Sequence, residues 1–369
     1  MNNGDERKNV YCEIGFLDEY AQAKPKSIAP DDIRLIRWIE TFQFISRSNL
    51  HFDISLSDLN NRRKENEYLA RLWKKSSGGL CGLECDWNGI LQLQEQGITT
   101  DEMYSSVYLV CKKNCNQMKD FAKGQGVLLL DINSLLNEEK WYETREKTVS
   151  KTPKSFNPEK GETIVYAKPN SDRSYWKHFL AAKHNCNALS IIDGYLMKSE
   201  ELIFNNLIPL LNVFLPTSLE NDISFHISLI TNYDKESNAE QIKSELKRNY
   251  QLIDGKLKEI RPQLNYKLGL FNMKGLLHDR HLLTNYLYVT SGAGFGLIAK
   301  DVKSDNPYFI NRTKVDVLFP FSIANNSNAE YEYYSLCQEV KKVLQKEDRF
   351  LSEGDRHNRL FYQFEKTKY

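Results

Sequence analysis

The clearest chemical pattern lies in the segment LLHDRHLLTNYLYVTSGAGFGLI, residues 276–298. Within it, His278 stands two residues before Arg280, and Asn285 follows five residues later. Alternate residues of an extended strand share a face, so the imidazole of His278 and the guanidinium of Arg280 would point the same way. Both groups could then contact one phosphate. The spacing therefore predicts an anion site on two short strands that are separated by a turn at Thr284.

A glycine-rich bend, SGAGFG at 291–296, follows these strands. Backbone amides around Ser291, Gly292 and Gly294 could form a nest for an anion. The glycines fall at every second position, which differs from the dinucleotide-binding fingerprint. A tight turn between strands explains the same residues, so both interpretations stay open.

The two patterns together resemble a degenerate copy of the phospholipase D superfamily motif. That motif reads His-x-Lys-x-x-x-x-Asp and is followed by a small-residue Gly-Ser-x-Asn turn. Here Arg280 stands at the lysine position, Asn285 at the aspartate position, and residues 291–294 at the turn. The variant that begins His-Asp-Arg is similar to the phospholipase D-like C-terminal domain of MIT-domain proteins, which binds membranes.

An upstream segment, residues 188–211, resembles that domain's first strand and the helix after it. Asp193 and Tyr195 stand at the end of this strand, where ligands of α/β sheets commonly bind. A simple turn at Asp193-Gly194 is the other explanation. The resemblance covers residues 162–369 and implies a mixed sheet covered by helices on both faces, which the alternation of predicted strands and helices favours independently.

The resemblance implies a catalytically degenerate module. In the intact motif one histidine attacks phosphorus and a second protonates the leaving oxygen, so two motif copies are needed. This chain has one copy, and the amide of Asn285 cannot stabilise an imidazolium as a carboxylate does. The planar fork of Arg280 suits phosphate contact. We therefore expect binding of a phosphate-bearing ligand, either nucleic acid or a lipid headgroup, or of a protein partner.

The ligand-binding residues predicted in this way lie in both segments. They are His278, Arg280, Ser291, Gly292, Gly294, Asp193 and Tyr195. The resemblance further suggests a subunit of a bacterial defence complex. No cofactor is expected.

Two other functions compete with this prediction. The first is a metal-independent nuclease or phosphodiesterase, active as a homodimer, with His278, Arg280 and Asn285 as its catalytic residues. EDTA-resistant cleavage that is lost in His278→Ala would establish it. The second is a structural subunit of a larger complex. A buried histidine bonded to its neighbours, with Arg280 in a salt bridge, would explain the triplet without any ligand.

Length and composition predict two domains. A chain of 369 residues exceeds what one core usually supports. Residues 147–161 are polar and contain Pro153 and Pro158, so we interpret them as a linker. The predicted organisation is an N-terminal α/β domain of unknown role at 1–146, the linker, and the phospholipase D-like domain at 162–369.

Charge and hydropathy exclude several classes of protein. With 50 Lys+Arg against 49 Asp+Glu the net charge is +1, which argues against a bulk polyanion binder. No apolar run approaches 18 residues and no signal pattern opens the chain, so we expect a cytoplasmic protein without a transmembrane segment. An odd number of cysteines, 7, suggests free thiols in a reducing compartment.

Two Cys-x-x-x-Cys pairs are the candidate metal ligands. Four thiolates, from Cys81, Cys85, Cys111 and Cys115, could hold a structural zinc ion. The common zinc knuckle has two intervening residues rather than three, and both pairs adjoin apolar runs. Buried free thiols are therefore the favoured interpretation.

Overall fold

The computed structural model places its two larger sheets in two compact units. The first sheet lies within Met1–Trp141, and the second within Tyr142–Pro320 and Asn326–Phe361. The residues that the structure describes are 9–26, 29, 32–46, 48–75, 80–82, 107–136, 162–165, 185–220, 223–233, 238–273, 280–285, 287–291, 294–296, 298–300, 307–309, 314–318, 327–345 and 350–361. The predicted linker at 147–161 lies outside them, so an independent N-terminal domain stays a prediction.

A five-stranded parallel sheet forms the centre of the first unit. Its strand order is β3-β2-β1-β4-β5, and all neighbouring strands run parallel. The strands are β1 (Asn9–Cys12), β2 (Asn49–Phe52), β3 (Leu80–Gly82), β4 (Val107–Leu109) and β5 (Leu128–Leu130). All of β2 and β4 is buried, as expected of parallel strands that are covered on both faces.

Helices lie between the described strands of this sheet and after its last strand. They are α1 (Ile14–Gln22), α2 (Ile33–Ser46), α3 (Leu56–Arg62), α4 (Glu67–Lys75), α5 (Lys112–Gln117), α6 (Lys119–Gln125) and α7 (Ile132–Leu136). The sequence predicted mainly loop before residue 30, yet α1 forms there and buries Phe16, Leu17 and Tyr20 along one face. The apolar spacing of Phe16, Leu17 and Tyr20 is typical of such a helix.

The second strand ends earlier than the sequence predicted. Alternating apolar residues suggested a strand from Leu50 through Leu56, but β2 stops at Phe52. The Oγ of Ser55 accepts a hydrogen bond from Asp58 N at 3.0 Å and so caps the helix that starts at Leu56. An N-cap outweighs alternation here because the cap satisfies a backbone donor that the strand would leave open.

An eight-stranded mixed sheet forms the centre of the second unit, with the order β15-β9-β8-β7-β10-β11-β14-β6. Its strands are β6 (Glu162–Val165), β7 (Ala188–Ile192), β8 (Phe225–Thr231), β9 (Tyr266–Met273), β10 (Arg280–Thr284), β11 (Tyr288–Ser291), β14 (Lys314–Leu318) and β15 (Phe350–Gly354). β12 (Ile298–Lys300) and β13 (Pro307–Phe309) form a separate antiparallel pair. The predicted mixed sheet and the α/β class are confirmed.

Three parallel strands, β7, β8 and β9, lie inside this sheet, and the other pairings are antiparallel. All seven residues of β8 are buried, including the polar residues that alternate with its apolar ones. Two of its polar residues accept hydrogen bonds from a 3₁₀ segment, Arg359–Phe361, and from the residue before it. Asn358 Nδ2 donates to Ser228 Oγ at 2.9 Å, and Arg359 N donates to His226 Nδ1 at 3.0 Å.

The helices of the second unit include a long one, α10 (Ala239–Ile260), which packs against β9 and β15. It begins with a reciprocal capping box between Asn238 and Gln241. The others are α8 (Glu200–Leu202), α9 (Ile208–Phe214) and α11 (Ser327–Leu344). A π-helical turn, Ile203–Leu207, joins α8 to α9 just before Pro209. A predicted helix at 172–183 lies outside the described residues.

The described helices include none with the length and apolar character needed to cross a membrane.

Candidate functional site

Three of the predicted site residues lie side by side across three strands of the second unit. Arg280 opens β10 and pairs in register with Ser291, which ends β11. On its other side β10 pairs with β7 so that His281 faces Ile192, which brings Arg280 beside Asp193. The carboxyl end of β7 and the amino end of β10 therefore share one edge of the sheet.

Asp193 organises this edge through its carboxylate. Its Oδ1 accepts hydrogen bonds from Tyr195 N at 2.8 Å and Leu196 N at 3.2 Å, and its Oδ2 accepts one from Phe295 N at 2.7 Å. The side chain is 2% exposed. It thus joins the loop after β7 to the glycine-rich bend, and we call this arrangement the Asp193 bracket.

Burial raises the pKa of Asp193 above its ordinary value. Hydrogen bonds from Phe295 N and Tyr195 N, together with the positive charge of Arg280, lower this pKa in part. The positive charge of Arg280 therefore acts on the Asp193 carboxylate as well as at the protein surface. The carboxylate is committed to backbone donors, so Asp193 positions other residues and is not itself placed to contact a ligand.

The glycine-rich bend is held by its own side chain. Ser291 Oγ accepts from Gly294 N at 3.0 Å and donates to Gly294 O at 2.8 Å. Gly294 has φ +95°, and a Cβ there would come within 2.8 Å of Asp193 Oδ2. The amides of Gly294 and Phe295 already donate to protein acceptors, which differs from the expected anion nest. The described part of this bend therefore acts as a tight turn.

Tyr195 carries the exposed part of the site. Its side chain is 52% exposed, and the Arg280 guanidinium carbon lies 5.2 Å from the centroid of its ring. The Lys198 ammonium lies 4.3 Å from the same centroid. Both contacts are within cation–π range. The sheet edge thus presents an aromatic ring in contact with two positive charges.

Lys198 was missed by the sequence analysis. Its backbone N donates to Tyr195 O at 3.1 Å, which closes a turn and returns the lysine side chain over the tyrosine ring. A cation three residues after an aromatic residue, in a loop that leaves a buried strand, was the available signal. Such a turn cannot be told from an extended loop by spacing alone.

Asn285 lies at the other end of β10. Its Oδ1 accepts from Asn187 N at 3.0 Å and Ala188 N at 3.1 Å, and the residue is fully buried. A strand of this length separates it from Arg280 by about 17 Å. Asn285 therefore fixes the start of β7, and it does not share a ligand group with Arg280.

Two predicted residues, His278 and Gly292, lie outside the described residues. The neighbouring His281 is buried in the core, where its Nδ1 lies 3.2 Å from the hydroxyl of Tyr288 and the two rings stack. The site is therefore built here from Arg280, Lys198 and Tyr195, and His278 stays a prediction.

The parallel sheet of the first unit has its own strand-order switch between β1 and β4, where α/β folds often bind ligands. Glu13 follows β1, is buried, and accepts hydrogen bonds from Cys111 N at 2.8 Å and Asn114 Nδ2 at 2.7 Å. Asp53 follows β2 and accepts from Ile14 N at 2.8 Å. The hydrogen bonds of these carboxylates join strand ends to helices. A structural role therefore explains both residues.

The zinc prediction rests on four cysteines that the structure describes only in part. Cys111 precedes α5 and Cys115 lies within it, and both are free thiols. Cys85 lies outside the described residues, and for Cys81 the backbone alone is described. Among the described side chains no group of three His, Cys, Asp or Glu could hold a metal ion. The four-cysteine zinc site stays the less favoured prediction; of the thiols predicted to be buried and free, Cys111 and Cys115 are free thiols but half-buried.

Comparisons with known proteins give no family assignment. No protein-family model matches the chain, and no curated protein matches it. The resemblance to the phospholipase D superfamily therefore rests on the residues quoted above, and function has to be argued from the geometry of the site.

Proposed function

We propose that the second unit is a phospholipase D-like module without catalytic activity, and that it binds a phosphate-bearing ligand at the edge where β7 ends. The observation that carries the proposal is the pair of cations, Arg280 and Lys198, in contact with the exposed ring of Tyr195. A guanidinium offers two parallel donors to phosphate oxygens, and an ammonium adds a second positive charge.

The arrangement favours binding over cleavage. A phosphodiesterase of the superfamily type needs a carboxylate that orients the catalytic histidine, and Asn285 stands at that motif position. Its amide is bonded to the start of β7 and is about 17 Å along the strand from Arg280. Among the described residues, the buried carboxylate beside Arg280 is that of Asp193, and it is bonded to three backbone amides. Neither group is placed to assist a nucleophile at the cationic edge, by which we mean the end of β7 and β10 that carries Lys198 and Arg280.

The proposal is tested with a probe that contains phosphate and nothing else. Inorganic pyrophosphate is titrated into ¹⁵N-labelled protein, and the backbone amide resonance of Tyr195, which all the variants share, is followed by NMR. We expect a saturable shift in the wild-type protein. Arg280→Ala should weaken binding about 10- to 100-fold, since a charge-assisted hydrogen bond contributes about 1.5–3 kcal/mol.

Arg356→Ala is the matched control. Arg356 also packs on an aromatic ring, with its guanidinium carbon 5.5 Å from the centroid of Phe350, but at the end of the edge strand β15. This variant should bind pyrophosphate as the wild-type protein does. Equal affinity in the wild type and Arg280→Ala, with both variants folded by circular dichroism, would refute the phosphate site.

A further inference from the structure

The cationic edge of the second unit differs from a simple phosphate clamp because one aromatic ring contacts both of its charges. Tyr195 is half-exposed at 52%, although aromatic rings are usually buried. We infer that the ligand is a single-stranded nucleic acid, with one base stacked on Tyr195 and the neighbouring phosphates held by Arg280 and Lys198. The inference rests on the phosphate-binding function proposed above and adds the class of ligand.

The backbone that carries the ring is held in place before any ligand binds. Tyr195 N donates to the carboxylate of Asp193 at 2.8 Å, and Leu196 N donates to the same oxygen at 3.2 Å. Leu196 is buried at 2% exposure, which anchors the next residue of the loop in the core. A tyrosine side chain has only two χ angles, so on a fixed backbone it loses little conformational entropy on binding and is suited to serve as a stacking surface.

The two cations can bind phosphate groups while they remain within the site. Lys198 is exposed and its ammonium stands on a flexible four-carbon chain. A base can therefore replace the Lys198 ammonium on the tyrosine ring while that ammonium turns to a phosphate of the same strand. The planar guanidinium of Arg280 can pair with a second phosphate from its position beside Asp193. Aromatic stacking next to backbone cations is the usual way in which proteins bind single strands without reading their sequence.

The charge around Tyr195 favours a strand over a membrane surface. Electrostatic attachment to anionic lipid usually requires clusters of four to eight basic residues. Here there are two cations, and Lys198 is followed within three residues by Glu200 and Glu201, which open α8. The net charge of +1 also argues against a broad electrostatic surface. A small site that depends on stacking fits these features, because stacking is insensitive to net charge.

The experiment compares strands with and without bases. Fluorescence anisotropy is measured with a labelled ten-nucleotide oligothymidylate and with an abasic strand of equal length and equal phosphate count. We expect the base-bearing strand to bind about 5- to 100-fold more tightly, as one stacked base would give. Tyr195→Ala should remove this preference, Tyr195→Phe should keep it, and Arg356→Ala should leave it unchanged. The slope of log K against log salt should be no steeper than about −1.4, as two phosphate contacts give.

The outcomes separate the ligand class from the phosphate site itself. Equal binding of the two strands, or an unchanged preference in Tyr195→Ala, would overturn the stacking inference while pyrophosphate binding could stand. Binding to vesicles with one-quarter phosphatidylserine, without binding to either strand, would assign the phosphate to a lipid headgroup and would also overturn it. If the wild-type protein bound neither pyrophosphate nor either oligonucleotide, the proposed phosphate-binding function would be refuted as well.

Discussion

Replacing Gly294 with alanine should destabilise the second unit by about 2–4 kcal/mol, because two separate costs add at this position. The backbone has φ +95°, a region that side chains other than glycine rarely adopt. Holding an L-residue there costs about 1–2 kcal/mol. This first cost follows from backbone sterics alone and needs no neighbouring atom.

The second cost comes from the Asp193 bracket. The new Cβ would lie 2.8 Å from Asp193 Oδ2, closer than carbon and oxygen can approach without movement. The carboxylate cannot turn away freely, since Oδ2 accepts from Phe295 N at 2.7 Å and Oδ1 from Tyr195 N at 2.8 Å. Weakening one such charge-assisted bond costs about 1–2 kcal/mol. The Cβ would also lie 3.6 Å from Arg280 Cγ, so pyrophosphate binding should weaken in the same variant.

Gly296→Ala provides the matched control, two residues further along the bend. Its new Cβ would meet Leu202 Cδ2 at 3.6 Å, an ordinary contact, and Gly296 has no positive φ. We expect its stability to change by less than about 0.5 kcal/mol.

The assay follows hydrogen exchange of peptides from β7 and β10 across a urea series, so that the second unit is measured separately from the first. The expected result is a lower urea midpoint for Gly294→Ala than for Gly296→Ala. Equal midpoints would refute both the strain at Gly294 and the bracket that depends on it.

Two further predictions concern buried polar residues outside the cationic edge. Asn285→Ala should destabilise the second unit by about 2–4 kcal/mol, because the amides of Asn187 and Ala188 lose their acceptor; an unchanged urea midpoint in the hydrogen-exchange assay would contradict this. His51 is buried in β2, and burial lowers the pKa of this imidazole from 6.5 to about 4. The folded state then binds the proton less readily than the unfolded state, so this contribution to stability is complete above about pH 6.5 and is lost as the pH falls to about 4, roughly 3 kcal/mol in all. His51→Gln should flatten this part of the pH profile of the first unit, and parallel profiles for the two proteins would contradict the assignment.

The periodicity of the sequence predicted much of the second unit. The hairpin of β10 and β11, the buried strand β7 and the long helix α10 all lie where apolar spacing and capping residues placed them. These elements depend on local features. The same is true of α8, whose N-cap Ser199 accepts a hydrogen bond through its Oγ from Leu202 N at 3.2 Å. Local features are readable from one sequence because their partners lie within one helical turn.

The pairing of strands could be predicted less well. Apolar alternation predicted the strand β8 but did not show that His226 and Ser228 are buried in it. Both side chains accept hydrogen bonds from residues more than 100 positions later, Arg359 and Asn358. The strand order of the first unit also depends on contacts between distant segments. Nothing in the spacing of residues reveals such partners, since the hydrogen bonds that decide burial form only in the folded chain.

The site itself shows why residue type predicts location better than role. The sequence predicted that all the residues of this edge bind the ligand, among them Asp193, Tyr195, Arg280, Ser291 and Gly294. In the structure, Asp193 and Ser291 bind backbone amides, and Gly294 makes room for the Asp193 carboxylate. The polar atoms of Asp193 and Ser291 hold the loops in place. The groups placed to contact a ligand are therefore the exposed ring of Tyr195 and the two cations beside it. A carboxylate at a strand end can orient a loop or bind a ligand, and the number of backbone donors it accepts decides between them. For Asp193 that number is three, which is why the test of function belongs at Arg280 and Tyr195 rather than at the residue that holds them.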